Sequence, residues 1–451
     1  EYTAYTFTGQ PLKKLRVHSA TGKTTQTETY TYQYDHVLRL IKTVHQLQEG
    51  TATPKPAVIL AEDTYDELGR LKTNKKNNNA NLTSTYGYNV RSWTKTITSP
   101  LFSQTLYYND QYAGSLKRYN GNVGAMTWQV QGDKLRGYTF VYYNLSQLTS
   151  TKYFENGTAS NNYKTQYTYD KHGNMRTLQR YGKMTASTYG IVDNVTLTYT
   201  GNQLTKATDA IGTISLTESN DFKDYANTAT EYVYNRNGAI TKDFNKGITD
   251  LQYNSLNLPK RMDIKSPVAE ARNEYTYSAA GAKLKVVQKW NPNYSTAPII
   301  GSSINVSSLT ETKTTDYVGN IIYEDNALKR ILVDGGYIEN GQYHFYLTDH
   351  LGNNRVVTNA SGTPIQKNHY YPFGMPFAET STAEQGKQPY KFGGKELDQM
   401  HGLNFYDVSA RYMNGINFTT IDPMAEKYYS WSPYVYCANN PLRFIDPTGM
   451  Q

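Results

Sequence analysis

Through most of this chain, apolar and polar positions alternate in short runs. Each run is broken by Asp, Asn or Ser, with Gly or Asn close behind. The phrase recurs as YQYDHVLRL (32–40), TYDELGRLKT (64–73), YTYDKHGNMRTL (167–178), YVYNRNGAITK (232–242), LQYNSLNLPKR (251–261) and YTYSAAGAKLK (275–285). Blurred copies stand at 86–95, 140–150 and 197–206. An interval of about 20–35 residues is the signature of a repeat architecture. Tyr-x-Tyr places two rings on one face of a strand, because side chains alternate. The following Asp, Asn or Ser opens a turn by bonding its own backbone, and Gly or Asn takes the left-handed position. A second alternating run then follows, as in Arg70-Leu71-Lys72 or Lys283-Leu284-Lys285. The pattern predicts a β-hairpin, repeated about ten times. A lone hairpin is marginal in water and a strip of them must hide its edges, so the expectation is one all-β, continuous, curling sheet. The Tyr pairs Tyr167/Tyr169, Tyr232/Tyr234 and Tyr275/Tyr277 are expected to stack on one another across neighbouring strands. The Asn-rich stretches 73–84 and 160–163 are expected to be loops.

Composition sharpens this picture. Of 451 residues 43 are Tyr, and the apolar fraction is 38%. Without Tyr only roughly 28% is apolar, so Tyr rings must supply much of the buried surface. The formal charge of +8 admits a nucleic-acid or acidic-glycan partner. However, the charges are scattered, with no long run of one sign, and this favours a solvated surface and no nucleic-acid partner. The single cysteine, Cys437, excludes an internal disulfide framework and a Cys-based zinc site. It is expected to be a buried thiol in a strand. The eight His are dispersed with no metal-binding spacing, so neither metal nor cofactor is expected. No apolar run is long enough to span a bilayer as a helix, so no direct membrane insertion is expected. The chain opens in mid-pattern with EYTAYTFTG, and the expectation is a piece of a longer protein.

The rhythm changes near residue 340. YLTDHLGNNRVVTNASG (346–362), YYPFGMPF (370–377), YKFGGKELDQMHGLNFYDVSAR (390–411), IDPMAEKYYSWSPYVYCANNP (421–441) and FIDPTGM (444–450) follow in order. With the Tyr-Asp phrases before them, these motifs resemble the YD-repeat and the Rhs-associated core domain of the bacterial Rhs proteins. The resemblance extends to the C components of insecticidal toxin complexes. It implies a spiralling strip over residues 1–340, forming the wall of a hollow shell. It implies a core domain over 341–450 that closes one end, and a cargo toxin beginning at residue 451. The implied partners are that C-terminal toxin segment and an N-terminal delivery or secretion module. The implied location is secreted or on the bacterial cell surface.

The resemblance also implies self-cleavage. In the family the cut follows a DP-x-G-(Leu/Met) box and depends on aspartates in it and in an earlier DP box. The matching residues are Asp446 and Asp422, and the implied scissile bond is Met450–Gln451. Two close carboxylates can share one proton, so that one activates water while the other protonates the carbonyl oxygen or the leaving amine. Pro447 and Gly449 are expected to bend the tail back toward the pair. Residue types alone also allow a plain reading, with Asp422-Pro423 capping a helix and Asp446–Gly449 forming a turn. The chain departs from the family where Ala425 replaces a Gly, and where 412–418 is short and lacks an Arg. Arg411 and Arg443 are candidates to supply that charge, or else to make structural ion pairs. Two functions remain open at this point. One is a shell with a single-turnover aspartyl autopeptidase. The other is a non-enzymatic surface or adhesive protein whose Tyr-rich sheet binds glycan or a protein partner.

Overall fold

The computed structural model describes residues 1–295 and 297–450. Two long antiparallel sheets carry the chain, and in both the strands follow in sequence order. The first has 16 strands, from Tyr2–Tyr5 to Gln203–Asp209; the second has 13, from Tyr232–Tyr234 to Pro364–Lys367. An irregular stretch, 210–231, links them, and the Glu231 amide donates to the Thr205 carbonyl at 2.8 Å across the junction. The second sheet therefore runs on into the first of the C-terminal motifs, whose strands Gln342–Thr348 and Asn354–Asn359 pair with the wall. A three-stranded sheet, Glu396–Asp398, Phe405–Asp407 and Tyr412–Met413, lies within the later motifs.

The repeated Tyr-Asp phrase has a mechanical meaning. In several repeats the Tyr just before the turn donates its hydroxyl to the first residue of the preceding hairpin's second strand. Tyr65 reaches the Leu40 carbonyl at 2.7 Å, Tyr88 reaches Leu71 at 2.8 Å and Tyr169 reaches Leu148 at 2.6 Å. Tyr253 makes the same bond to Ile240 at 2.7 Å. The next residue closes the turn: Asp66 Oδ1 accepts from the amides of Leu68 and Arg70 at 3.0 and 2.9 Å. Asp170 accepts likewise from His172 and Asn174. The strand register slips at each stitching Tyr, between Thr64 and Tyr65, Gly87 and Tyr88, and Thr168 and Tyr169. Such bulges add local twist, and their repetition curls the strip.

The expected Tyr ladder is corrected by this geometry. Tyr167, Tyr232 and Tyr275 are buried, and the aromatic partners of Tyr167, Tyr275 and Tyr234 come from elsewhere. Tyr167 meets Phe373 at 5.0 Å, Tyr275 meets Tyr412 at 6.2 Å, and Tyr234 meets Tyr434 at 5.9 Å. At these positions edge contacts to rings from the C-terminal segment take the place of stacking along the sheet, whereas Tyr138 meets Tyr153 and Tyr153 meets Tyr163 across neighbouring strands. Residues 160–163 are likewise not a loop, but part of the strand Thr158–Tyr169. Replacing Tyr65, Tyr88 or Tyr169 with Phe should cost about 1 kcal/mol each, since one hydrogen bond is lost and the ring stays. Urea unfolding measures it, and a loss below about 0.3 kcal/mol at all three positions would remove the stitching role.

The curl brings early strands to late ones. Tyr343 Oη lies 2.8 Å from Nδ1 of His45, whose Nε2 lies 3.1 Å from Glu28. Asn320 donates to both oxygens of Glu28 at 3.0 Å. This seam is made by side chains; no strand ladder joins the two ends of the strip among the described residues.

Residues 368–411 pack against the inner surface of both sheets. Phe373, Phe377 and Phe392 are buried in one apolar cluster with Tyr163, Tyr167 and Trp128, and Tyr390 is half-buried outside it. Phe377 lies flat on Tyr163, ring centroids 3.9 Å apart. Phe377→Ala should destabilise by about 3–5 kcal/mol, because close neighbours cannot collapse into the space. Beside it, Trp128 Nε1 donates to Nδ1 of His369 at 3.0 Å, and Nε2 of His369 contacts Asp133 at 3.0 Å. Burial pulls the His369 pKa down to about 4, against the pull of Asp133. Unfolded His titrates near 6.5. The unfolded chain therefore binds more protons between those values, so stability should fall as pH drops from about 6.5 to about 4. Denaturant midpoints across this range check the slope, and His369→Gln should flatten it.

Candidate functional site

The two DP boxes meet around one arginine. Arg411 follows the small sheet's second strand, and its guanidinium lies over the buried Phe418 ring, 3.6 Å from the centroid. Its Nη2 donates to Oδ2 of Asp422 at 2.8 Å and to Oδ2 of Asp446 at 3.2 Å. Nη1 donates to the Pro433 carbonyl at 3.2 Å, and Nε to the Gly449 carbonyl. The three side chains are withdrawn from solvent: Arg411 is 0%, Asp446 4% and Asp422 8% exposed. Burial draws the Arg411 pKa below its ordinary range while the two carboxylates oppose that shift. A guanidinium nonetheless keeps its proton in proteins. The guanidinium thus contacts both carboxylates through one nitrogen.

The two acids differ in what else they hold. Oδ1 of Asp446 accepts from the amides of Thr448, Gly449 and Met450, at 3.3, 2.7 and 3.0 Å. It is the anchor of the tail turn. Oδ1 of Asp422 accepts one amide, that of Met424, at 2.7 Å. Asp422 is thus a turn residue and not the cap of a helix; the short 3-10 turn Ala425–Lys427 begins after Met424. Gly449 has φ +74° and packs so closely that an added Cβ would lie 2.6 Å from the Val408 carbonyl, so a side chain has neither the conformation nor the room. Pro447 accepts Lys395 Nζ at 2.6 Å through its carbonyl. These contacts press residues 447–450 against 408–411. Met450 is at the edge of the site, and Gln451 lies outside the described residues.

Arg443 is not in the cluster. Its Nη1 points to Asn122 at 3.4 Å, on the wall. It lines a cavity of about 520 Å³ with Asp422, Trp431, Val435, Phe444 and Ile445. Phe444 and Ile445 form no strand, and both are partly exposed. Cys437 is buried, as expected, but in a turn and not in a strand. Cys437, Ala438 and Asn439 all have left-handed φ, +48°, +49° and +58°. For non-Gly residues this costs about 1–2 kcal/mol each, so the surroundings must hold the turn in place. Burial, then the nearby charge of Asp446, pushes the Cys437 thiol well above its ordinary range, which removes it as a nucleophile. No group of His, Cys, Asp and Glu among the described residues could hold a metal ion. No helix among the described residues is long and apolar enough to cross a membrane.

Sequence reasoning undervalues Arg411, because it seeks the charge inside 412–418. The available signal is an Arg ending the SAR phrase, just ahead of the two acid-bearing boxes.

A curled antiparallel strip with its motif-bearing segment folded inside defines the class of the YD-repeat shells. Across 99% of its length the chain superposes on the Tc holotoxin pore of Photorhabdus luminescens, which contains TccC3, with TM-score 0.67 and 17% identity. That match covers 21% of the other chain. In sequence it is 28% identical over 316 residues to the tRNA3(Ser)-specific nuclease WapA of Bacillus spizizenii, spanning 68% of this chain and 12% of WapA. It is 31% identical over 114 residues to salivary gland surface protein 1 of Aedes aegypti, spanning 25% of this chain and 3% of that protein. No family model matches. In fold the chain is similar to Tc toxin structures that contain TccC3, and in sequence to WapA, which is consistent with an Rhs/YD-repeat protein.

Proposed function

We propose that the chain forms the wall and core of a shell that retains a toxin segment from its own C-terminal side. We further propose that it cuts the Met450–Gln451 bond once. The observation that carries this reading is the cluster in which Arg411 joins both DP boxes while Arg411 and Asp446 grip the turn of residues 448–450. Asp422, with the fewer bonds, is the general base. It takes a proton from a water whose oxygen bonds to the Met450 carbonyl carbon. It returns that proton to the Gln451 nitrogen as the C–N bond breaks. Arg411 stabilises the charge that develops on the carbonyl oxygen, and Asp446 holds the turn. Because the substrate is part of the same chain, the effective concentration is high enough for one slow turnover to suffice. The shell and its cargo belong outside the producing cell, in keeping with the toxin relatives. The nuclease activity named for WapA is not carried over, since the chain spans only 12% of that protein.

The test is a fusion with a folded reporter placed after Gln451. It should separate into two bands on a denaturing gel, the smaller beginning at Gln451, and migrate as one species under native conditions. An intact fusion after prolonged incubation leaves a non-enzymatic YD-repeat protein.

A further inference from the structure

The strained turn at 437–439 is seated on the wall, and the seat is made of hairpin tips. Asn439 Nδ2 donates to the Gly173 carbonyl at 2.7 Å. Asn440 Nδ2 donates to the Ser146 carbonyl at 2.9 Å and to Asn122 Oδ1 at 3.0 Å. The Ser432 amide donates to the His172 carbonyl at 2.7 Å. The Tyr434 hydroxyl donates to the Gly238 carbonyl at 2.7 Å. In two of these tips, Asp170 and Asn235 occupy the turn's own amides, which leaves the tip carbonyls free to accept from outside. The fit is tight: a Cβ on Gly173 would lie 3.1 Å from Asn439 Nδ2 and 3.2 Å from the Trp431 ring.

The same segment connects the acids. The Pro433 carbonyl accepts the Asp422 amide at 3.0 Å and Arg411 Nη1 at 3.2 Å. Asp446 follows six residues after Asn440. Where 432–440 sits on the wall therefore sets where Asp422, Arg411 and Asp446 stand relative to one another. Tips 146 and 173 belong to the first sheet and tip 238 to the second, so the seat is complete only when both sheets are in place.

We propose that the hairpin tips at Ser146, Gly173 and Gly238 hold the aspartate pair in register through Asn439, Asn440 and Tyr434. Self-cleavage then waits until the wall has folded. The proposal rests on the autopeptidase reading above, and the three side chains are positioning residues.

Two variants of the reporter fusion test it. Asn440→Asp replaces a donor with an acceptor that faces Ser146 and Asn122. Tyr434→Phe removes one hydroxyl and keeps the ring. Each should slow the split about tenfold or more, with the wall's unfolding transition retained. The pH profile of the rate should also move, because the acids no longer stand in the same place relative to Arg411. If the parent splits and both variants split at its rate, the tips do not position the site. The tips are equally ruled out if the variants slow only in proportion to a smaller folded fraction, with the profile unmoved. In both cases the autopeptidase reading survives. If the parent never splits, both readings fall together.

Discussion

Asp422→Asn should leave the reporter fusion as a single band, with the rate of cutting reduced by at least about a hundredfold. General acid–base groups contribute about 10²–10⁴-fold to the steps they serve. The amide keeps the shape of the side chain and can still accept from the Met424 amide, but it cannot take a proton from water. Asp446→Asn should also block the cut, for a different reason. Its retained oxygen can hold the 448–450 amides, but its new NH₂ then faces Nη2 of Arg411, donor against donor. In both variants the new NH₂ faces Nη2 of Arg411, donor against donor, and only Asp446→Asn does so at the residue that holds the 448–450 amides. Two bands persisting in the Asp422 variant would end the assignment of that residue as base.

Arg411→Met should produce the largest loss of stability of any single change at the site. The substitution leaves two buried carboxylates facing the space that their common cation filled. Removing one partner from a buried ion pair costs about 3–5 kcal/mol. Urea unfolding of the chain as it stands measures this without any cleavage. The triple variant Asp422→Asn, Arg411→Met, Asp446→Asn should recover most of that loss, since no charge then remains to be buried without a partner. Arg411→Lys should fall between, because an ammonium lacks the planar fork that reaches both acids and two carbonyls. A loss under about 1 kcal/mol for Arg411→Met would mean that water replaces the guanidinium without cost.

The wall is legible in the sequence because each hairpin carries its own local instructions. The alternation, the turn Asp or Asn and the Gly after it act within ten residues, so periodicity alone exposes them. The stitching role of Tyr65 or Tyr169 is not legible, since its acceptor lies on a different hairpin and is a backbone carbonyl with no side-chain signature. The Tyr ladder fails for a related reason: Phe373, Tyr412 and Tyr434 compete for the same rings, and they arrive from far along the chain. At the site, both aspartates and Gly449 stand out through their motifs. Arg411 does not, because nothing local distinguishes a buried bridging Arg from a surface one. Asn439 and Asn440 read as an ordinary turn signal, and only the tips of distant hairpins give them a further task.

The Tyr stitch also sets a direction for assembly. In each case the hydroxyl of a later residue seeks a carbonyl of an earlier one, across a strand order that never departs from the chain order. As the chain leaves the ribosome, N-terminal end first, each new hairpin finds its acceptor already in place. Growth of the wall needs only short-range contacts, which form quickly. The His45–Tyr343 contact joins residues 298 positions apart and must await nearly the whole wall. Synthesis can thus proceed like a zip drawn from one end, with the clasp fastened last.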